Sequence, residues 1–164
     1  MSVWLLLIVL LPFWPKLFAQ QPQEKDMLLK EAQTATHDSV KIRALYRLSK
    51  IEPDRAIRYQ YVNEVFVRRG KWVKGEALSF SALGDFFGGS NNAKVLEYHL
   101  KYLKASEELQ DRELIADALF SIGNDYRLQE NFRMALPYFF KGEEIYKNLN
   151  SSYRANNFNV MGIA

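Results

Sequence analysis

A four-residue pattern recurs along this chain at a fixed interval, and a glycine closes each copy. Ala77, Phe80, Leu83 and Gly84 are matched by Ala116, Leu119, Ile122 and Gly123, and again by Ala155, Phe158, Met161 and Gly162, with a step of 39 residues each time. Offsets of three, six and seven residues fall on one face at about 3.6 residues per turn, so each copy is a single helical stripe. A second pattern follows the first two copies: Val95, Leu96 and Tyr98 after Gly84, and Ala135, Leu136 and Tyr138 after Gly123. Ala56, Ile57 and Tyr59 show it once more upstream. The repeated unit is therefore a helix, a short turn and a second helix. Glycine inside a helix costs about 1 kcal/mol relative to alanine. On the buried stripe that cost is offset by packing, because the missing side chain lets the second helix of the unit approach closely.

Extending the pattern along the chain predicts helices at about 38–51, 54–69, 72–88, 92–109, 112–129, 132–149 and from 152 onward. Asp38 and Asp54 sit where an N-cap is wanted, Pro53 blocks continuation of the helix before it, and the GGSNN run at 88–92 is a turn cluster. Pro137 falls near the second turn of its helix, where its missing N–H leaves one carbonyl unpaired and kinks the helix modestly. No run alternates with period two, so the expectation is an all-α fold. Residues 20–36 read as a polar lead-in outside the helices, 37–71 as a degenerate unit, and 72–164 as the repeats proper with the third one truncated.

This arrangement resembles the tetratricopeptide repeat family. The first helix of that family carries a large residue, then a leucine-like residue directly followed by glycine, then an aromatic one turn later. Leu119, Ile122, Gly123 and Tyr126 match it, as do Phe80, Leu83, Gly84 and Phe87 in the unit before. The family's second helix carries a small residue, an aromatic four later and another small residue, matched by Ala135, Phe139 and Gly142. In the earlier unit Val95 or Leu96 stands where alanine is usual. The family unit is about 34 residues, so the longer period here implies longer helices or turns, as in its extended variants. The match is good over 74–164 and loose over 36–70. The resemblance implies a right-handed α-solenoid of antiparallel helix pairs, with Gly84, Gly123, Gly162, Ala77, Ala116, Ala135 and Tyr126 as the packing signature. It implies a protein or peptide ligand and no cofactor.

A second stripe runs beside the packing stripe. Asp117, Phe120, Asn124 and Arg127 lie one, four, eight and eleven residues after Ala116. That places them about 120 degrees around the helix from the packing stripe. Leu78, Ser81, Asp85 and Gly88 correspond in the preceding unit, and Asn156 and Asn159 in the following one. By the resemblance, this stripe lines a concave groove that takes extended peptides or partner helices. The family's clamp for terminal carboxylates needs several lysines and arginines here, and Arg127 alone is present, which disfavours a receptor for chaperone tails.

Residues 1–15 carry no charged side chain. The apolar run is shorter than the roughly 20 residues of a spanning helix, and Pro12 and Pro15 interrupt it. It reads as a secretory signal peptide, with Leu17 and Ala19 preceding a cut after Ala19, although only the terminal amine stands before the apolar core and Lys16 follows it. The competing reading is an uncleaved anchor. The chain has no cysteine, which excludes a disulfide framework, a thiolate metal site and a lipid-modified amino-terminal cysteine. Without residues 1–19 there remain 21 basic and 19 acidic residues, a net charge of +2 that gives no footprint for nucleic acid.

Catalytic motifs are missing from the sequence: no P-loop, HExxH, GxSxG or dinucleotide fingerprint occurs. His37 and His99 are 62 residues apart, and His99 on a repeat helix reads as a structural or surface imidazole. The FFGGSNN run lacks the spacing and lysine of a phosphate loop. Glu143 and Glu144 are adjacent and face different parts of a helix, so they form no acid/base pair. The VRRGKWVKG stretch at 67–75 sets four basic residues around Trp72, with Arg68 and Arg69 placed to complement a helix C-terminus just before Gly70. The sequence thus predicts a non-catalytic, exported scaffold that binds a protein or peptide. The main alternative is the extracytoplasmic sensor region of a longer membrane signalling protein, a histidine kinase or a transcription regulator, continuing into a membrane anchor; a third is an architectural envelope protein. The end of the sequence two residues after Gly162 reads as a fragment boundary, since the stripe of Ala155, Phe158 and Met161 would otherwise be uncovered.

Overall fold

A computed structural model describes residues 14–88 and 92–149 of the chain. Among these residues the chain forms seven α-helices and no strand: α1 (Trp14–Thr34), α2 (Asp38–Ile51), α3 (Arg55–Arg68), α4 (Gly75–Phe87), α5 (Asn92–Glu108), α6 (Arg112–Leu128) and α7 (Phe132–Asn148). The fold is all-α, as the periodicity predicts. Residues 1–13 and 150–164 lie outside the description, and with them Ala155, Asn156, Phe158, Asn159, Met161 and Gly162.

Two local differences from the expected helices have clear causes. The helix expected from residue 72 starts at Gly75, because a 3-10 turn, Arg69–Lys71, and an extended Trp72 intervene. Asp38 is not the cap of α2. His37 holds the cap position without a side-chain bond, and Asp38 in the first turn instead takes Arg68 at 3.0 Å. Asp54 does cap α3, accepting from the backbone N–H groups of Ala56 and Ile57 at 2.8 and 2.9 Å. The Arg68 guanidinium also meets Glu64 at 3.0 Å, and Arg69 donates to the Phe66 carbonyl at 2.7 Å, so these basic residues are absorbed at the helix end.

The larger difference is α1. Through residues 20–36, the polar lead-in, α1 runs as far as Thr34, and the expected cut after Ala19 falls within that helix. The segment is polar, but Leu28 and Ala32 lie one turn apart and bury in a cluster with Leu45 and Leu48 of α2 and Val65 of α3. Glu24 meets Arg47 at 2.7 Å along the same seam. Lys25 Nζ lies 2.7 Å from Glu52 Oε2, off the hydrogen-bond line, while Glu52 Oε1 accepts from the Asp54 N–H at 3.0 Å.

Each helix packs on the next in the chain, and α2 also touches α4. Three apolar clusters result, one across α1 to α4, one joining α4, α5 and α6, and one between α6 and α7. Ala77, Ala116 and Ala135 are buried in them. Tyr126 stacks on Tyr138 with ring centroids 5.6 Å apart.

The glycines mark where paired helices come closest. A Cβ at Gly123 would meet the Phe139 ring, one at Gly142 would lie 2.9 Å from Phe120 Cε2, and one at Gly84 would collide with the imidazole of His99. Phe139 follows Ala135 by four residues as His99 follows Val95. The two units use the same joint with a different ring.

Candidate functional site

Helices α2, α4, α5 and α6 border two adjoining cavities with polar side chains in their walls. The first, about 250 Å³, is lined by Tyr46 and Lys50 of α2, Ser81 of α4, Tyr102 of α5, and Asp117, Phe120, Ser121 and Asn124 of α6. The second, about 220 Å³, is lined by Gly84 and Asp85 of α4 with Gly88 just past its end, Val95 and His99 of α5, and Asn124, Asp125, Leu128 and Gln129 at the end of α6. Asn124 belongs to both.

Of the residues expected on the binding stripe, Ser81, Asp117, Phe120 and Asn124 meet in the first cavity, and Asp85 joins Asn124 in the second. Phe120 is mainly a packing residue. It is buried against Gly142, and its ring lies 5.9 Å from Phe139 and 5.7 Å from Tyr146. Arg127 lines neither cavity; its guanidinium donates to Asn124 Oδ1 at 3.0 and 2.7 Å. That fork occupies the amide carbonyl, so the Asn124 N–H groups are what the side chain has left to offer. Leu78 is buried in the α1 to α4 cluster, and Asn156 and Asn159 lie outside the described residues.

Sequence reasoning missed the partners that α2 and α5 contribute. Lys50 Nζ reaches Asp85 Oδ2 and lies 3.3 Å from Ser81 Oγ, which also bonds the Tyr46 hydroxyl at 3.0 Å. The protein packed around the Lys50 stem pulls its ammonium down to about 8, against the attraction of Asp117, although the side chain is still 37% exposed, which favours the charged form. Burial pushes the Asp117 carboxyl up, opposed by the Tyr146 hydroxyl that donates to it and by Lys50. The Tyr102 hydroxyl is buried with no hydrogen-bond partner among the described residues, and desolvation raises it well above its ordinary range.

His99 is the centre of the second cavity. It is only 4% exposed, and its Nδ1 lies 2.6 Å from Oδ2 of Asp125, itself 6% exposed. The carboxylate can only accept, so the Nδ1 proton sits between them. Nε2 is buried with no hydrogen bond, 3.7 Å from Asp85 Oδ1. The signal that could have found this site was the register: a histidine stands where the next unit carries Phe139. Among the described residues no three His, Asp or Glu side chains are grouped so as to hold a metal ion. No helix among them is long and apolar enough to cross a membrane.

Comparison with known proteins adds no name to this geometry: the chain matches no protein-family model, no curated protein and no solved structure.

Proposed function

We propose that this chain is a non-catalytic scaffold that binds a protein or peptide ligand, built as a right-handed α-solenoid of the tetratricopeptide kind and exported by its apolar amino terminus. The observation that carries the reading is the meeting of Ser81, Asp117, Phe120 and Asn124 in one polar cavity open between α2, α4, α5 and α6. Ser81 and Phe120 hold equivalent positions on successive first helices, with Asp117 and Asn124 one turn to either side of Phe120, which is what a groove along a repeat array requires. The repeated joint supports it as well, since Gly84 with His99 and Gly123 with Phe139 set the same close approach in two units. Such a groove recognises an extended ligand through its backbone amides, and the Asn124 N–H groups are placed for that role.

Display selection of peptides on the purified protein tests the proposal. Asn124→Ala with Arg127→Ala should weaken capture of the selected peptides and leave the circular dichroism spectrum unchanged. Undiminished capture by the double variant would remove this face from the function.

A further inference from the structure

The cavity beside Gly84 gathers the acceptors of His99, Asp85 and Asp125 beside the amides of Asn124 and Gln129. The His99 Nδ1 is taken up by Asp125, and Nε2 is buried without a partner, an acceptor in the tautomer that carries its proton on Nδ1. Leaving such an acceptor unsatisfied is unfavourable, and no packing need explains it, because Phe139 fills the equivalent place over Gly123. Asp85 Oδ1 stands 3.7 Å away, too far to bond Nε2 and close enough for both atoms to accept from one donor group. The other Asp85 oxygen is held by Lys50. Asp85 and Asp125 against Lys50 leave one net negative charge among the carboxylates and ammonium around the imidazole. The imidazole rests on Gly84, and Val95 and Leu128 offer apolar surface for an aliphatic stem.

We propose that this cavity binds the cationic head of an arginine or lysine side chain, which donates to His99 Nε2 and Asp85 Oδ1 while its stem lies along Val95 and Leu128. An anionic ligand would be repelled by the same carboxylates. The peptide nature of the ligand rests on the groove reading above; the cation preference rests on the cavity alone.

The test follows the imidazole nitrogens of His99 by NMR in ¹⁵N-labelled full-length protein during titration with acetyl-glycyl-arginyl-glycine amide. The glutamine and glutamate versions of the same peptide serve as comparisons. The expected result is a saturable shift of Nε2 with the arginine peptide alone. His99→Phe, which keeps a ring over Gly84, and Asp85→Asn, at a half-exposed position, should each weaken it about tenfold or more. The proposal is overturned if Nε2 already carries a proton and does not respond, if the glutamine peptide shifts it equally, or if both variants bind like the parent. Failure here with display-selected peptides still captured through Asn124 would sink the cation pocket and leave the groove standing. Loss of both would end the groove reading as well.

Discussion

Phe139 occupies the space that a side chain at Gly123 would need: a Cβ there would lie 2.7 Å from Cε1 and 2.8 Å from Cδ1 of its ring. The ring cannot step aside freely, because it is buried on α7 and packs beside Phe120. Helix propensity and packing therefore oppose each other at this position, and their magnitudes decide the outcome.

Gly123→Ala gains about 1 kcal/mol of helix propensity and loses about 1–3 kcal/mol to overpacking. The expected net result is a lower urea midpoint. Gly70→Ala is the control, since nothing lies within 4 Å of a Cβ there, and it should be neutral. A Gly123→Ala protein as stable as its parent would show that the joint is looser than described.

Glu130 sits between α6 and α7 at φ 59°, a left-handed conformation that strains any residue with a Cβ. Asn131 N–H bonds the Tyr126 carbonyl at 2.9 Å across this turn, which fixes the backbone there. Glu130→Gly relieves about 1–2 kcal/mol of strain and gives back roughly 0.5–1 kcal/mol through the freer unfolded chain. A small rise in melting temperature is expected. A fall would mean that the Glu130 side chain has a stabilising contact.

Tyr102→Phe removes a buried hydroxyl that bonds to nothing among the described residues. Stability by chemical denaturation should be unchanged or higher. A loss of about 1 kcal/mol would reveal a partner for the hydroxyl, such as an ordered water.

Glu52 is 2% exposed, and the Lys25 ammonium beside it holds its carboxyl below the usual range, with the Asp54 N–H adding to the effect and burial opposing it. A carboxyl depressed in the folded state contributes stability that is full above its unfolded value, about 4.3 for glutamate, and is lost as pH falls through the folded value. Stability of the α1 docking should therefore decline on acidification below that point. Glu52→Gln should flatten this part of the pH profile, measured by hydrogen exchange of α1 amides. An unchanged profile would assign the acid sensitivity elsewhere.

The helical joints were legible because they are local. A stripe of Ala, large apolar and Gly at fixed offsets specifies one helix face, and the recurrence of the stripe specifies that successive helices pair. Apolar periodicity with caps and turn residues placed six of the helices, and the two repeated patterns placed Gly84, Gly123 and Ala135. The first helix was not, since only Leu28 and Ala32 in a polar segment signal its buried side, and their partners Leu45, Leu48 and Val65 lie on two other helices. His37 at a cap position in place of Asp38 likewise depended on Arg68, 30 residues onward, drawing the carboxylate away.

The stripe from Asp117 to Arg127 could be written down from helical spacing alone, because position on one helix is a local property. That Phe120 turns into the α6 to α7 contact and that Arg127 binds Asn124 required the neighbouring side chains to be in place. Lys50 and Tyr46 reach the cavity from α2, and Asp125 of α6 meets His99 of α5 across 26 residues of sequence. Sequence periodicity by itself determined which surfaces of each helix are apolar. Only the packing of whole helices decided which polar groups face one another across the cavities, because burial and charge pairing depend on the distance between elements, which no spacing within one element contains.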